Sequence, residues 1–395
     1  MCGVGSTSCR PWCAMADESV GRRRASRRHR ARARVDRAEL RALAEVLSSG
    51  RFGSEDRAYD LEAALGSAYG CGVAVTSSGS AALELTLTAA GIGAGHEVVV
   101  PALTCASVPD AVRAAGASPV FADVQPGTGV MDPVRLRACL GRRSTAVVVV
   151  DLYGCTGGSK AAVAVARERG VLAIHDTAAA FGADRSPPPA GLVQITSFHP
   201  SKVLAAGEGG AVLSADHELL ADVRYLRSPG ALAVRGVPTP PAFDGRPGRS
   251  LRMSDLDAAL ALVRLAKLDQ VLARRRAAAA RWHAALEHLG GPLGLPDPEG
   301  HAFACYPVVL PEGVNRAALL AELRAAGVGA WPGYQAVHSA PPGGTDGSDP
   351  CPVASQLASS VICLPTHPGA LGAAVPDPVT VEAASAFLGR ALAGH

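Results

Sequence analysis

Lys202 closes the segment Ser197-Phe198-His199-Pro200-Ser201-Lys202 and is followed by the glycine-rich Gly207-Glu208-Gly209-Gly210. Upstream, Asp176 follows the apolar run Val171-Leu172-Ala173-Ile174-His175, 26 residues before that lysine. Taken singly, such a lysine reads as a surface residue and such an aspartate as a loop or cap residue. Together, at the ends of neighbouring strands, they are what pyridoxal 5'-phosphate (PLP) chemistry needs. The lysine amine condenses with the cofactor's aldehyde, and the aspartate keeps a proton on the pyridine nitrogen so that the ring accepts electrons. A third stretch, Thr76-Ser77-Ser78-Gly79-Ser80-Ala81-Ala82-Leu83, reads as a strand end, a tight turn and a helix start. Free N–H groups at a helix N-terminus favour an anion, so Gly79 and Ser80 are phosphate candidates. An ordinary serine N-cap is the plainer reading of the same residues. Ser197 is a further candidate phosphate donor.

These residues need a scaffold. Short apolar runs recur at Val73–Thr76, Val98–Val100, Pro119–Val124, Thr145–Leu152, Val171–His175, Ile195–Phe198 and Gly210–Ser214, separated by helical or polar segments. Several, such as Ala146-Val147-Val148-Val149-Val150, are apolar without alternation, the pattern of strands covered on both faces. The expected fold is α/β, a mostly parallel central sheet flanked by helices, with a smaller C-terminal α+β domain. Residues 37–70 read as a helix pair. Residues 228–250 read as a loop, and Asp255–Leu289 as one long helix. Beyond it are expected a strand at 303–310, a helix at 315–326, a strand at 359–364 and a closing helix at 379–393, with 340–352 mobile. Gly91-Ile92-Gly93-Ala94-Gly95 follows a helix and precedes a strand, the wrong order for a dinucleotide loop, and reads as a helix-ending turn. The domain division is 1–36, 37–250 and 251–395.

The chain has 395 residues and a formal net charge of +3, unevenly spread. Residues 1–36 hold nine arginines against three acids, while the remainder holds 29 basic and 32 acidic residues and so carries −3. The tail is expected to be disordered, or an over-extension ahead of Met15; a basic arm for an anionic surface is the weaker reading. No apolar segment follows its twin arginines, which argues against an export signal. A near-neutral body argues against nucleic acid as a partner. No run of eighteen apolar residues lacks a charge, so no membrane span is expected. The ten cysteines form no C-x-x-C pair and are read as reduced, mostly buried and cytoplasmic. Cys155 is read as buried. His283 and His288 are five apart on the long helix, a poor metal spacing, and are read as solvated; no metal is expected. His175 and His199 flank the Lys202 site as ring neighbours or as structural residues.

Along most of its length the sequence resembles the DegT-type (StrS-like) sugar aminotransferases, a family of fold-type I PLP enzymes. The resemblance is carried by Ser78–Leu83, Gly91–Val98, Val100-Pro101 with Thr104, Pro119–Val124, Leu152-Tyr153-Gly154, the Asp176 segment, Ser197–Lys202, Gly207–Gly210 and Arg252-Met253-Ser254-Asp255. It covers roughly residues 37–395. It implies Lys202 as the lysine that holds PLP and Asp176 as the partner of the pyridine nitrogen. It also implies Gly79, Ser80 and Ser197 as phosphate ligands, and Tyr334 and His338 near the site. It further implies a homodimer, and transfer of an amino group from glutamate or glutamine to a nucleotide-linked keto-sugar or a cyclitol. Three residues depart from the family's pattern. Cys105 stands where an aromatic residue covers the cofactor ring, Ala179 where a Gln or His reaches the ring hydroxyl, and Ser250 where an Asn reaches the partner's phosphate. They leave open a catalytically silent relative that acts as a binding or regulatory partner. A PLP-dependent dehydration is a third reading, against which Lys202 counts, because the dehydratase relatives carry histidine there.

Overall fold

The structure is a computed structural model. It describes residues 35–53, 56–228, 248–289, 294, 300–338, 349–367 and 378–393. The arginine-rich tail, most of the 228–250 loop and most of the 340–352 segment lie outside the described residues.

Seven strands form one sheet: β1 (Gly72–Thr76), β2 (Glu97–Pro101), β3 (Ser118–Ala122), β4 (Ser144–Val150), β5 (Leu172–Asp176), β6 (Leu192–Ser197) and β7 (Gly210–Ser214). Their spatial order is β1-β7-β6-β5-β4-β2-β3. Strands β3, β2, β4, β5 and β6 run parallel, and β7 is antiparallel to both its neighbours. The expectation of a mostly parallel sheet holds, and its cause is legible in β4. Val147 to Val149 are fully buried because helices cover both faces. The connections α3 (Gly79–Ala89), α4 (Ser107–Ala114), α5 (Pro133–Cys139), α6 (Ser159–Glu168) and α7 (His217–Leu226) supply that cover. The expected helix pair is α1 (Arg37–Ser49) and α2 (Asp56–Tyr69). Asp36 and Glu39 close a capping box at the start of α1, and Gly50 ends it with φ 70°. The glycine turn after α3 also holds, with Gly91 at φ 70° and Gly95 at φ 85°.

The expected single helix from Asp255 to Leu289 is two, α8 (Asp255–Leu265) and α9 (Leu268–Glu287). No glycine or proline marks the break, so propensity does not explain it. At the break, Lys267 pairs with the Asp36 carboxylate at the start of α1, and Leu268 is buried in the same apolar cluster as Phe181 and Leu272. Beyond α9, β8 (Tyr306–Val309) and β9 (Val361–Leu364) form an antiparallel pair. With α10 (Arg316–Ala325) and α12 (Pro378–Ala393) they enclose a separate apolar cluster around Trp282, Tyr306, Leu323, Leu364 and Leu388. Helix α11 (Pro352–Ser360) was not expected. It begins in the stretch read as mobile and takes in the first two residues of the strand read over 359–364. Pro352 at the first helical turn, where a missing N–H costs nothing, was the available signal.

Candidate active site

Two neighbouring strand ends bring the chemistry together. Asp176 ends β5 and Ser197 ends β6, its parallel neighbour, with Asp176 in register with Ile195. Lys202 follows β6 by one turn, in which the Lys202 N–H donates to His199 O (2.8 Å). A crevice at the carboxyl ends of parallel strands is where open α/β sheets bind ligands.

Asp176 and Lys202 are both half-buried and act on one another electrostatically. Burial pushes the Asp176 carboxyl up from 3.8. The Lys202 charge and the Ala178 N–H, which donates to Oδ1 (2.9 Å), pull the other way without reversing it. Burial pulls the Lys202 amine down. The influences of Tyr334, Asp176 and Cys105 outweigh it and leave the amine raised. Tyr334 and Cys105 therefore belong to the lysine's surroundings. Cys105 also accepts from Ser107 Oγ (3.0 Å).

The phosphate candidates meet as well. Ser78 caps α3 by accepting from Ala81 N–H (3.0 Å), so the plain N-cap reading is correct for Ser78. Gly79 lies against Ser197: a Cβ on Gly79 would sit 2.8 Å from the Ser197 Cβ. A Cβ on Gly210 would sit 2.5 Å from Ser78 backbone atoms, so the Gly209-Gly210 turn is what lets β7 approach α3. Ser80 is exposed at the rim. Arg252 lies between two contacts with this cradle. Leu251 O accepts from Ser77 N–H (2.7 Å), and Met253 packs on Gly209. Its Nη1 is buried with no hydrogen-bond partner. A glycine-lined approach at a helix N-terminus and a buried guanidinium nitrogen without a partner on the adjoining segment both fit a phosphate.

The other expectations sort as follows. His199 bonds Ser201 Oγ (2.8 Å) at the surface. His338 lies beyond Tyr334, with Nε2 bonded to Asp349 Oδ1 (2.9 Å). Ala179 is buried in the turn after Asp176, and Ser250 is exposed. His283 is not simply solvated, since its Nδ1 pairs with Tyr306 OH (3.2 Å). Of the seven described cysteines only Cys305, Cys351 and Cys363 are buried. Cys71, Cys105, Cys139 and Cys155 are partly open, because each sits at an element's end rather than within the sheet.

Sequence reasoning missed Asp151. It follows β4 as Asp176 ends β5, a charge closing an apolar run, but it was absorbed into the expected strand. It is 1 % exposed. Its Oδ1 bonds His175 Nε2 (2.9 Å) and accepts from Ser159 Oγ. Burial pulls the His175 imidazole down, and the Asp151 charge and hydrogen bond outweigh it, leaving it raised above 6.5. The stability this pair adds is therefore fully present below about pH 6.5 and is lost as pH rises through the folded-state value. Asp151→Ala is expected to cost about 3 kcal/mol at pH 6 and less at pH 9, read from urea midpoints. Equal costs at the two pH values would contradict a protonated His175.

A lysine and an aspartate near adjacent parallel strand ends, with a glycine-lined approach alongside, fit the class that the comparisons show, the PLP-dependent aminotransferases. When bound, PLP supplies an aldehyde for amines and a ring that accepts electrons. The chain belongs to the DegT/DnrJ/EryC1/StrS aminotransferase family, whose sequence profile matches residues 33–379. It is similar to GDP-perosamine synthase of Caulobacter vibrioides, 32% identical over 310 residues that cover 76% of this chain and 82% of the relative. The aminotransferase TlmJ from Streptoalloteichus hindustanus superposes with a TM-score of 0.81 at 30% identity, over 92% of this chain and 98% of that one. DesI, determined in the presence of its TDP-sugar product, superposes with a TM-score of 0.78 at 29% identity, over 93% of each chain.

Proposed function

We propose that this chain moves an amino group from glutamate or glutamine to the keto group of a nucleotide-linked sugar, with PLP held at Lys202. The observation that carries the reading is that Asp176 ends β5 and Lys202 follows its parallel neighbour β6, each acting on the other's charge, with the close Gly79–Ser197 approach at the same strand. In this reading Lys202 would hold the cofactor and, once displaced by the donor amine, would carry the proton between the substrate carbon and the cofactor carbon. Asp176 would accept the hydrogen bond of the pyridine N–H. The N–H groups at Gly79 and Ser80, the Ser197 hydroxyl and the Arg252 guanidinium would receive the phosphate. Cys105 would face the ring with less contact area than an aromatic side chain. A nucleotide-linked sugar is supported by two relatives, one a GDP-perosamine synthase and one whose structure was determined in the presence of its TDP-sugar product.

The test is the purified protein loaded with PLP. Borohydride reduction followed by peptide mapping should place a pyridoxyl group on Lys202. Addition of glutamate should convert the visible absorbance to that of the pyridoxamine form, and a nucleotide-linked keto-sugar should restore it. Cofactor held at Lys202 without any response to an amino donor would favour the silent-relative reading.

Two further parts belong to the proposal. One is the division at residue 250, supported by the separate apolar cluster around Trp282 and Leu323. Limited proteolysis that cuts first elsewhere in the described chain would count against it. The other is a cytoplasmic homodimer. The free cysteines suit a reducing compartment. Helix α1 presents Leu40 at 58% and Leu47 at 57% exposure on one face, with Phe52 beyond it at 48%, an apolar stripe that a second copy would cover. Leu47→Glu is expected to shift the protein from dimer to monomer in light scattering. A wild-type protein that runs as a monomer at micromolar concentration, or that is recovered outside the cytoplasm, would remove that part.

A further inference from the structure

Two carboxylates stand at neighbouring strand ends, and only Asp176 has a part in the proposed transfer. Asp176 ends β5. Asp151 follows β4 directly, one residue past Val150, which is in register with Asp176. Adjacent strands lie about 4.8 Å apart. The Asp151 N–H donates to the Asp176 carbonyl (3.0 Å), so the two backbones are joined where the sheet ends. On the other side Thr177 donates to Ile195 O from its N–H (2.9 Å) and from its hydroxyl (3.1 Å), and it accepts from Gln194 Nε2 (2.9 Å). Asp176 is thereby held between β4 and β6.

Asp151 is a costly group to place there. It is 1 % exposed, and a carboxylate so buried needs a counter-charge. A second bare carboxylate beside Asp176 would also oppose the ionisation that a hold on the pyridine N–H requires, because like charges in one site resist ionising together. His175 meets both demands. It precedes Asp176 in β5, and its Nε2 lies 2.9 Å from Asp151 Oδ1. Ser159 Oγ, at the start of α6, donates to the same oxygen. Among the described residues Oδ2 has no hydrogen-bond partner. Without the imidazolium, the Asp151 charge would therefore keep one hydroxyl and little else. His175 faces Asp151 from β4, Asp184 from the turn beyond β5 and Asp176 on its own strand, and the residue in register with it on β6 is the neutral Gln194. Asp176 faces Lys202, Asp151 and His175.

We propose that His175 and Asp151 are the positioning pair for Asp176: the pair fixes the strand end that carries the Asp176 carboxylate and sets a neutralised neighbour beside it instead of a second bare charge. This rests on the reading of Asp176 as the partner of the pyridine nitrogen and deepens it. The influences on Asp176 have the matching signs, since Asp151 pushes its carboxyl up and His175 pulls it down.

The test is the titration of the Asp176 carboxyl in the full chain without cofactor, followed by its carbon-13 resonance and assigned by the loss of that signal in Asp176→Asn. His175→Gln removes the positive charge and keeps a polar side chain. Asp151 is then bare, and the Asp176 midpoint should move up by about one pH unit, a tenfold weaker ionisation. Asp151→Asn removes the group that holds the imidazole proton, so both charges leave together and the Asp176 midpoint should stay near that of wild type. The double variant should return it there too. Rescue of one substitution by the other is a pattern that lost packing does not produce. If His175→Gln does not fold, Asp151→Asn carries the test: the His175 midpoint, read from its ring resonances, should fall by about one pH unit or more. An Asp176 midpoint unmoved in His175→Gln, or a His175 midpoint unmoved in Asp151→Asn, would assign the pair a structural role only and overturn the inference. Borohydride trapping on PLP-loaded wild-type protein separates the two failures. No cofactor on Lys202 would overturn the aminotransferase reading, and this inference with it. Cofactor trapped there with unmoved midpoints in the variants would overturn this inference alone.

Discussion

Lys202→Ala is expected to remain folded and to lose turnover by about 10,000-fold or more, because one group supplies both the covalent anchor and the proton carrier. The loss has a physical signature apart from rate. Without the lysine's charge the Asp176 carboxyl keeps its burial and loses its strongest opposing influence, so its pKa should climb further above 3.8. PLP should still enter through the phosphate cradle, and gel filtration should separate it from the variant because no covalent bond retains it. Activity and cofactor retention at wild-type level in Lys202→Ala would remove the lysine from the chemistry altogether.

Asp176→Asn is expected to cost about 100- to 1,000-fold in turnover, the range for losing one preorganised electrostatic contact in a water-poor site. The substitution keeps the shape and the Ala178 N–H contact, and removes the charge that would hold a proton on the pyridine nitrogen. It also takes away one of the charges that raise the Lys202 amine, so the lysine should react with amine reagents at lower pH. Stopped-flow absorbance with glutamate alone reads the first effect, and pH-dependent labelling of Lys202 reads the second. A variant with unchanged kinetics would place Asp176 among structural residues.

The sheet was legible because its residues state their own surroundings. Val147, Val148 and Val149 without alternation mean cover on both faces, and the structure gives that cover. Asp176 and Lys202 were legible because each interrupts an apolar or glycine-rich stretch at which a strand must end. Gly79, Gly209 and Gly210 were legible as a tight approach, and the positions a Cβ would occupy confirm how tight it is. The break at Lys267 was not legible, since periodicity runs through it, no glycine or proline marks it, and the partner of Lys267 lies 231 residues away at Asp36. Asp151 was hidden for the opposite reason, inside an apolar run that seemed to continue past it.

The sequence by itself determined which residue types stand at strand ends and where backbone must approach backbone, because burial period and glycine content are local properties of the chain. It determined the family in the same way, through an ordered set of short motifs. Only the tertiary structure decided which groups share one environment. Tyr334 reaches Lys202 from 132 residues downstream, Arg275 from 73, and His175 finds Asp151 one strand over. These contacts depend on strand order and on how distant elements pack against the sheet. Each is selected by the free energy of the whole packed core, and no local window of sequence carries that sum.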